Sequence, residues 1–164
     1  PTEKVVLRDL KISPCLEIYN CLKDGQCAIK DDMTALYDKL TGVRILIVAS
    51  PIFFYGPSAQ LKAVIDRCQA LWSRKYSLGW KTDHQPGRGY VLSVAATQGK
   101  RLFDGLLLTM KYFFDVLGLK LDGQVLVRGV DQPGEILDKP EFLSQARTMG
   151  EAAAEFIIQE ERIS

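Results

Sequence analysis

The chain has 164 residues, of which 47% are hydrophobic and 25% charged, with 21 Lys and Arg against 20 Asp and Glu. That length and mix describe a single globular domain with an ordinary core and exclude a disordered or low-complexity chain. A net charge of +1 supplies no field that would gather nucleic acid or an anionic membrane surface.

The first residues, "PTEKVVLRDL", have neither the apolar core nor the small-residue cleavage site of a secretory leader. Lys4–Leu10 alternates weakly and reads as a strand. A polar connection, Lys11–Lys30, then carries Cys15, Cys21 and Cys27. With Cys68 they could form two disulfides, but a domain with a full apolar core has little need of them, and reduced thiols in a cytoplasm are the simpler expectation. Asp31 and Asp32 open a short helix to Leu40, with carboxylates at the positive end of its dipole.

Arg44–Ala49 is a compact β-branched run, the pattern of a strand buried on both faces. The apolar stretch it leads into, 45–55, is about half a membrane span and is broken by Ser50 and Pro51, so the protein reads as soluble. Ser58 can cap the helix that follows, expected to run to about Lys75. Lys62 and Asp66 stand one turn apart on it, and with Arg67 they read as ion pairs on the helix face. Residues 76–88 show no clear element and read as a loop or a partner-contacting excursion. Their histidine, His84, reads as a surface residue.

Gly89–Ala95 is a second buried-type strand. Arg101–Leu117 places apolar residues at 103, 106, 107, 110, 113, 114 and 117, one wide helical stripe. Gln124–Val130 reads as another strand, and Asp138 to about Arg162 as a final helix with Pro140 near its start. Strands alternating with helices predict an α/β fold with a parallel sheet.

Chemistry in such a sheet collects where loops leave the carboxyl ends of strands. Two of these loops are unusual in composition. "SPIFFYGPSAQLKAVIDR", Ser50–Arg67, crowds two prolines, a glycine and three aromatic rings into its opening positions, although a turn needs no Phe53, Phe54 or Tyr55 for its dihedrals. The other is "AATQGK", Ala95–Lys100, small and flexible at Gly99. Pattern alone leaves two readings open: a wall for a flat ligand, or a strand-to-helix turn whose rings are buried at a subunit contact.

The combination of Ser-Pro-Ile-aromatic, Ser58-Ala59-Gln60-Leu61-Lys62 and Asp66-Arg67, preceded by "PC…C…GQCAIKDDM", resembles the NADPH-dependent FMN reductase and iron–sulfur flavoprotein group, from about Leu7 to the final helix. The resemblance implies a flavodoxin-like three-layer sandwich that binds FMN. It implies that Ser50, Pro51, Ile52, Phe53, Phe54, Tyr55 and Gly56 hold the isoalloxazine ring, and that Ala95, Ala96, Thr97, Gln98 and Gly99 close on it. Electrons would pass from NAD(P)H through the flavin to an unidentified acceptor. No catalytic side chain is then expected, because the cofactor carries the chemistry.

Three departures accompany the resemblance. The family's Gly-Ser-Pro-Arg type phosphate turn has no counterpart, so FMN would lack its usual anion nest. The strand that carries it is also missing, which predicts that residues outside the sequence fill a gap in the sheet or that Lys4–Leu10 pairs directly with Arg44–Ala49. Cys15, Cys21 and Cys27 match three places of the family's four-cysteine run, but Ile18 stands at another, so free thiols and no metal are expected. The third is Phe53, where the family often has Tyr. A further cluster, Trp72, Arg74, Tyr76 and Trp80, suggests a homodimer or higher homo-oligomer contact more than a nicotinamide entrance. The alternative to an oxidoreductase is a non-catalytic binding or interaction module that has lost FMN phosphate binding.

Overall fold

The computed structural model describes residues 2–80 and 86–163, with side chains as far as residue 159. Its centre is a sheet of three parallel strands in the order β1-β2-β3, where β1 is Ile45–Ala49, β2 Gly87–Ala95 and β3 Leu119–Arg128. The helices are α1 (Cys21–Asp24), α2 (Met33–Leu40), α3 (Ala59–Arg67), α4 (Gln69–Trp72), α5 (Asp104–Val116) and α6 (Pro140–Ile163). None among the described residues is long and apolar enough to cross a membrane.

The sheet separates two apolar layers. On one face Leu36 and Leu40 of α2, Leu61 and Val64 of α3, Leu71 of α4 and Leu106, Met110 and Phe114 of α5 pack over Val48 and Val91. On the other, Phe142, Ala146 and Met149 of α6 cover Val125 and Val127. That second layer leaves Ile47 of β1 exposed. Two glycines in β2 make the layers possible: a Cβ at Gly89 would stand 2.5 Å from the Phe114 ring, and one at Gly87 would stand 2.5 Å from the Arg44 carbonyl oxygen.

Local signals account for most boundaries. Ser58 caps α3 by accepting from the Leu61 amide at 3.4 Å. Asp31, one residue before the N-cap of α2, accepts from the Met33 amide at 3.1 Å. Pro140 is the first residue of α6, where its missing N–H costs nothing. The expected helix from Ser58 to Lys75 is interrupted at Cys68, continues as α4 and ends in a wider π turn at Ser73–Ser77.

Lys4–Leu10 is not a strand. Leu7–Asp9 forms a 3-10 turn, and β1 pairs only with β2 among the described residues. A strand is stable only as half of a ladder, and weak alternation does not supply the other half. β3 starts at Leu119 rather than Gln124, because the polar opening of that strand hid its extended conformation. Of the segment 76–88, Tyr76 and Ser77 end the π turn and Gly87 begins β2. His84 lies outside the described residues.

The ion pair between Lys62 and Asp66 is present, with Nζ donating to both carboxylate oxygens at 2.7 and 2.8 Å. Arg67 is different from the expected surface residue: it is 1% exposed and lies beneath the cysteine-bearing connection. Its guanidinium grips Asp31 and the carbonyls of Ser13 and Ile29. An i,i+4 charge pattern reads as a solvated face, but Arg67 is one residue past that pair and turns inward.

Candidate functional site

The two unusual loops leave the carboxyl ends of neighbouring strands, β1 and β2, so the parallel register brings them side by side. The first does not leave the sheet at once. Beyond β1 the Ser50 amide donates to the Leu92 carbonyl at 3.1 Å and the Ile52 amide to the Val94 carbonyl at 3.2 Å. Phe53 and Gly56 then exchange two backbone hydrogen bonds, each 3.0 Å, and close a two-residue turn over Phe54 and Tyr55.

Both central residues of that turn are left-handed, with φ of 49° at Phe54 and 63° at Tyr55. Turns of this kind favour Asn-Gly, because a side chain at positive φ costs about 1–2 kcal/mol per residue. Here the strained positions carry aromatic rings that the chain leaves uncovered: Phe53 is 59% exposed, Phe54 104% and Tyr55 53%. Strain and exposed apolar area thus coincide at one turn, which makes it a candidate binding surface.

Ser50 has a structural part in the site. It is buried; its hydroxyl donates to the Pro51 carbonyl at 2.9 Å and accepts from the Ser58 amide at 3.2 Å, while its carbonyl accepts from the Ser93 hydroxyl at 2.7 Å. Ile52 packs between the main core and a smaller cluster of Ala95, Leu102 and Phe103. These two fix the base of the turn; Pro51 is exposed and Gly56 half-buried.

The second loop is held from beneath. Ala95 is buried and its carbonyl accepts from the Val130 amide at 3.1 Å. Ala96, Thr97 and Gln98 are exposed. Arg128, at the end of β3, donates from Nε to the Gly99 carbonyl at 3.2 Å and from Nη2 to the Lys100 carbonyl at 3.3 Å. Its guanidinium also sits 5.1 Å over the Phe103 ring.

Tyr55 joins the loops. A Cβ at Gly99 would lie 3.0 Å from the Tyr55 hydroxyl, and one at Gly105, in the first turn of α5, would overlap the Tyr55 carbonyl oxygen. Glycine at both places lets the aromatic turn lie down on the second loop and on α5. Beside this contact is an open cleft of about 470 Å³ lined by Tyr55, Lys100, Arg101 and Asp104. Arg101 Nε donates to Asp104 at 2.8 Å, and that hydrogen bond raises the Arg101 pKa.

The sequence includes Lys100 in the second loop without a role for it, and gives no role in the site to Arg101, Asp104, Gly105 or Arg128. The Lys-Arg pair directly after Gly99 was the signal available for the cleft. Nothing local marks Arg128 or Gly105, whose roles depend on contacts across the fold.

For a planar isoalloxazine the residues fit: an exposed aromatic wall, a facing loop of small residues and a cationic rim. For the phosphate, among the described residues no glycine-rich strand-to-helix turn precedes β1, and the positive groups near the ring wall are Lys100 and Arg101. For an iron–sulfur cluster the fit fails. Such a cluster takes four thiolates; Cys15, Cys21 and Cys27 share a loop with Ile18, while Cys68 is buried in the core, where burial pushes its thiol up to about 12. Among the described residues no group of three or more His, Cys, Asp or Glu is arranged to hold a metal ion.

Comparison with known proteins agrees with the flavin reading. The family model described as NADPH-dependent FMN reductase matches residues 2–106. An iron-sulfur flavoprotein of Archaeoglobus fulgidus is 45% identical over 75 residues, 46% of this chain and 38% of that protein. An iron-sulfur flavoprotein of Methanocaldococcus jannaschii is 30% identical over 60% of this chain and 49% of its own length. The match thus spans half or less of these two relatives. A Bacillus subtilis protein named as an NAD(P)H-dependent FMN-containing oxidoreductase is 28% identical over 88% of this chain and 78% of its own. Among solved structures, the Trp repressor binding protein from Bacillus subtilis superimposes with a TM-score of 0.57 and 28% identity, covering 70% of this chain and 73% of that one. The parallel sheet with helices on both faces is a flavodoxin-like fold.

Proposed function

Because the chain belongs to the NADPH-dependent FMN reductase family, we propose that it is an FMN-dependent oxidoreductase that passes electrons from NAD(P)H through a bound flavin to an acceptor. The observation that carries this reading is the strained, exposed Phe53–Gly56 turn lying against Gly99 at the carboxyl ends of two adjacent parallel strands.

FMN, held by the aromatic turn and the facing loop, would supply the hydride-accepting and electron-returning chemistry. The chain's own contribution is binding and orientation. Phe53, Phe54 and Tyr55 offer stacking area, and the turn's backbone hydrogen bonds fix where that area stands. Ala96, Thr97 and Gln98 form the facing wall, and Arg128 keeps it in register. Lys100 and Arg101 make the rim attractive to the anionic groups of FMN or of the nicotinamide donor. Trp72, Tyr76 and Trp80 are part exposed near α4, and we place a homodimer contact there.

Titration of the purified protein with FMN, followed by flavin fluorescence and then by anaerobic NADH or NADPH oxidation, tests the reading. Saturable quenching with flavin reduction supports it. A protein that rejects FMN at every concentration overturns it and leaves the exposed rings to a protein-binding role.

A further inference from the structure

The connection from Leu10 to Met33 carries three of the four cysteines, and it is not a free loop. Arg67 closes its ends: Nη1 donates to the Ser13 carbonyl at 3.0 Å and to Asp31 at 2.8 Å, and Nη2 donates to the Ile29 carbonyl at 3.1 Å and to Asp31 at 3.2 Å. Its middle is tied to the π turn, where the Ser73 hydroxyl donates to the Cys21 carbonyl at 2.6 Å and Arg74 Nε donates to the Gly25 carbonyl at 2.8 Å. Cys21 and Cys27 therefore sit in fixed places. Each packs partly against the core and stays partly open to solvent.

One donor in this arrangement has no acceptor. Arg67 is 1% exposed, and its Nε has no hydrogen-bond partner. A buried N–H left unmatched is costly, and a native site that keeps one has a reason to. The thiol of Cys27 lies against this guanidinium and against the Tyr37 hydroxyl, which itself donates to the Arg67 carbonyl at 2.7 Å. A neutral thiol is a weak acceptor, whereas an anionic sulfur is a good partner for a buried guanidinium. At Cys21, burial raises the thiol pKa, and the neighbouring Cys27 and Cys15 add to the rise.

We propose that Cys27 and Cys21 are a redox pair, in which Cys27 reacts with a hydroperoxide and Cys21 closes the product into a disulfide across α1. In the first step the Cys27 sulfur gives up its proton and attacks one peroxide oxygen. An S–O bond forms, the O–O bond breaks, and the departing alkoxide or hydroxide takes a proton to leave as alcohol or water. The sulfur has lost two electrons and the peroxide has gained them. In the second step the Cys21 sulfur attacks the Cys27 sulfur; an S–S bond forms, the S–O bond breaks, and the departing hydroxide takes the Cys21 proton to give water. Cys15 and the core thiol Cys68 take no part. This pair functions whether or not flavin binds, and its readout is a mass.

The test treats the reduced full-length chain with hydrogen peroxide, quenches with an alkylating agent and maps the peptides. The expected product is lighter by two hydrogens and contains a Cys21–Cys27 linked peptide while Cys15 is still alkylated. Cys27→Ser abolishes the link and slows peroxide consumption about tenfold, and Cys15→Ser leaves both unchanged. Arg67→Lys keeps a cation but removes Nε, and it slows the first step in protein whose circular dichroism is unaltered. If Arg67→Lys does not fold, the comparison of Cys27→Ser with Cys15→Ser decides. Oxidation of Cys15 before Cys27, a Cys15-containing disulfide as the main product, or the same peroxide rate in Cys27→Ser would overturn the proposal.

Discussion

The aromatic turn and the cysteine connection are both irregular segments, one rich in rings and the other in thiols, yet they are secured in opposite ways. The turn is held by backbone bonds, Phe53 with Gly56 and Ile52 to Val94, and it presents its side chains to solvent. The connection is held by long-range bonds from one buried side chain, Arg67, supported by Ser73 and Arg74. The first can lose a side chain and keep its shape, because backbone groups define it. The second depends on the identity of a single residue.

Arg67→Ala breaks that contrast most severely. It leaves the Asp31 carboxylate and two carbonyls without their partner, and the expected loss is about 3–5 kcal/mol, read as a fall in the denaturation midpoint. The same pair gives a pH signature. Burial pushes the Asp31 carboxyl up, but the hydrogen bond from Arg67 and the one from the Ser13 amide outweigh it and hold it below the usual range. A lowered folded pKa means that the stabilisation is complete above the unfolded value, about 3.9, and is lost as pH falls through the folded one. Wild type should therefore lose stability below about pH 4, and Asp31→Asn should flatten that slope.

Gly105→Ala attacks the turn where it is vulnerable, at its backbone. The new Cβ would overlap the Tyr55 carbonyl oxygen, and displacement of the turn should cost about 1–3 kcal/mol, with flavin binding falling in parallel. Loss of stability with unchanged FMN affinity would show that the cofactor ignores this turn.

Tyr37→Phe sharpens the comparison from the other side. It removes the hydroxyl that meets the Arg67 carbonyl and should cost about 1–2 kcal/mol, without touching the flavin site. Phe54→Asn should do the reverse. Asn tolerates positive φ, so thermal stability should rise by about 1 kcal/mol. FMN affinity should drop about tenfold as one stacking ring is lost. If affinity held while stability rose, Phe54 would have no part in binding.

The turn was legible in sequence because Pro51, Gly56 and Pro57 punctuate it and an apolar strand precedes it, both local signals. Its closure against Gly99 followed from placing two loops at the ends of parallel strands. What escaped was non-local. Arg67 reads as a helix-face charge until the connection that folds over it is known, and Arg128 reads as the end of a strand until the Gly99 and Lys100 carbonyls come within its reach. Lys4–Leu10 failed in the opposite direction, since its alternation permits a strand but no partner completes the ladder.

The hydrogen bonds that carry the sheet past β1 into the aromatic turn also set a rate. Ser50 and Ile52 amides are tied to β2, so in deuterated water their exchange should follow opening of the sheet, whereas the amides of Phe54 and Tyr55 at the tip should exchange on the fast timescale of solvent-facing backbone. A ligand docking on this turn would meet a backbone already tied to the sheet.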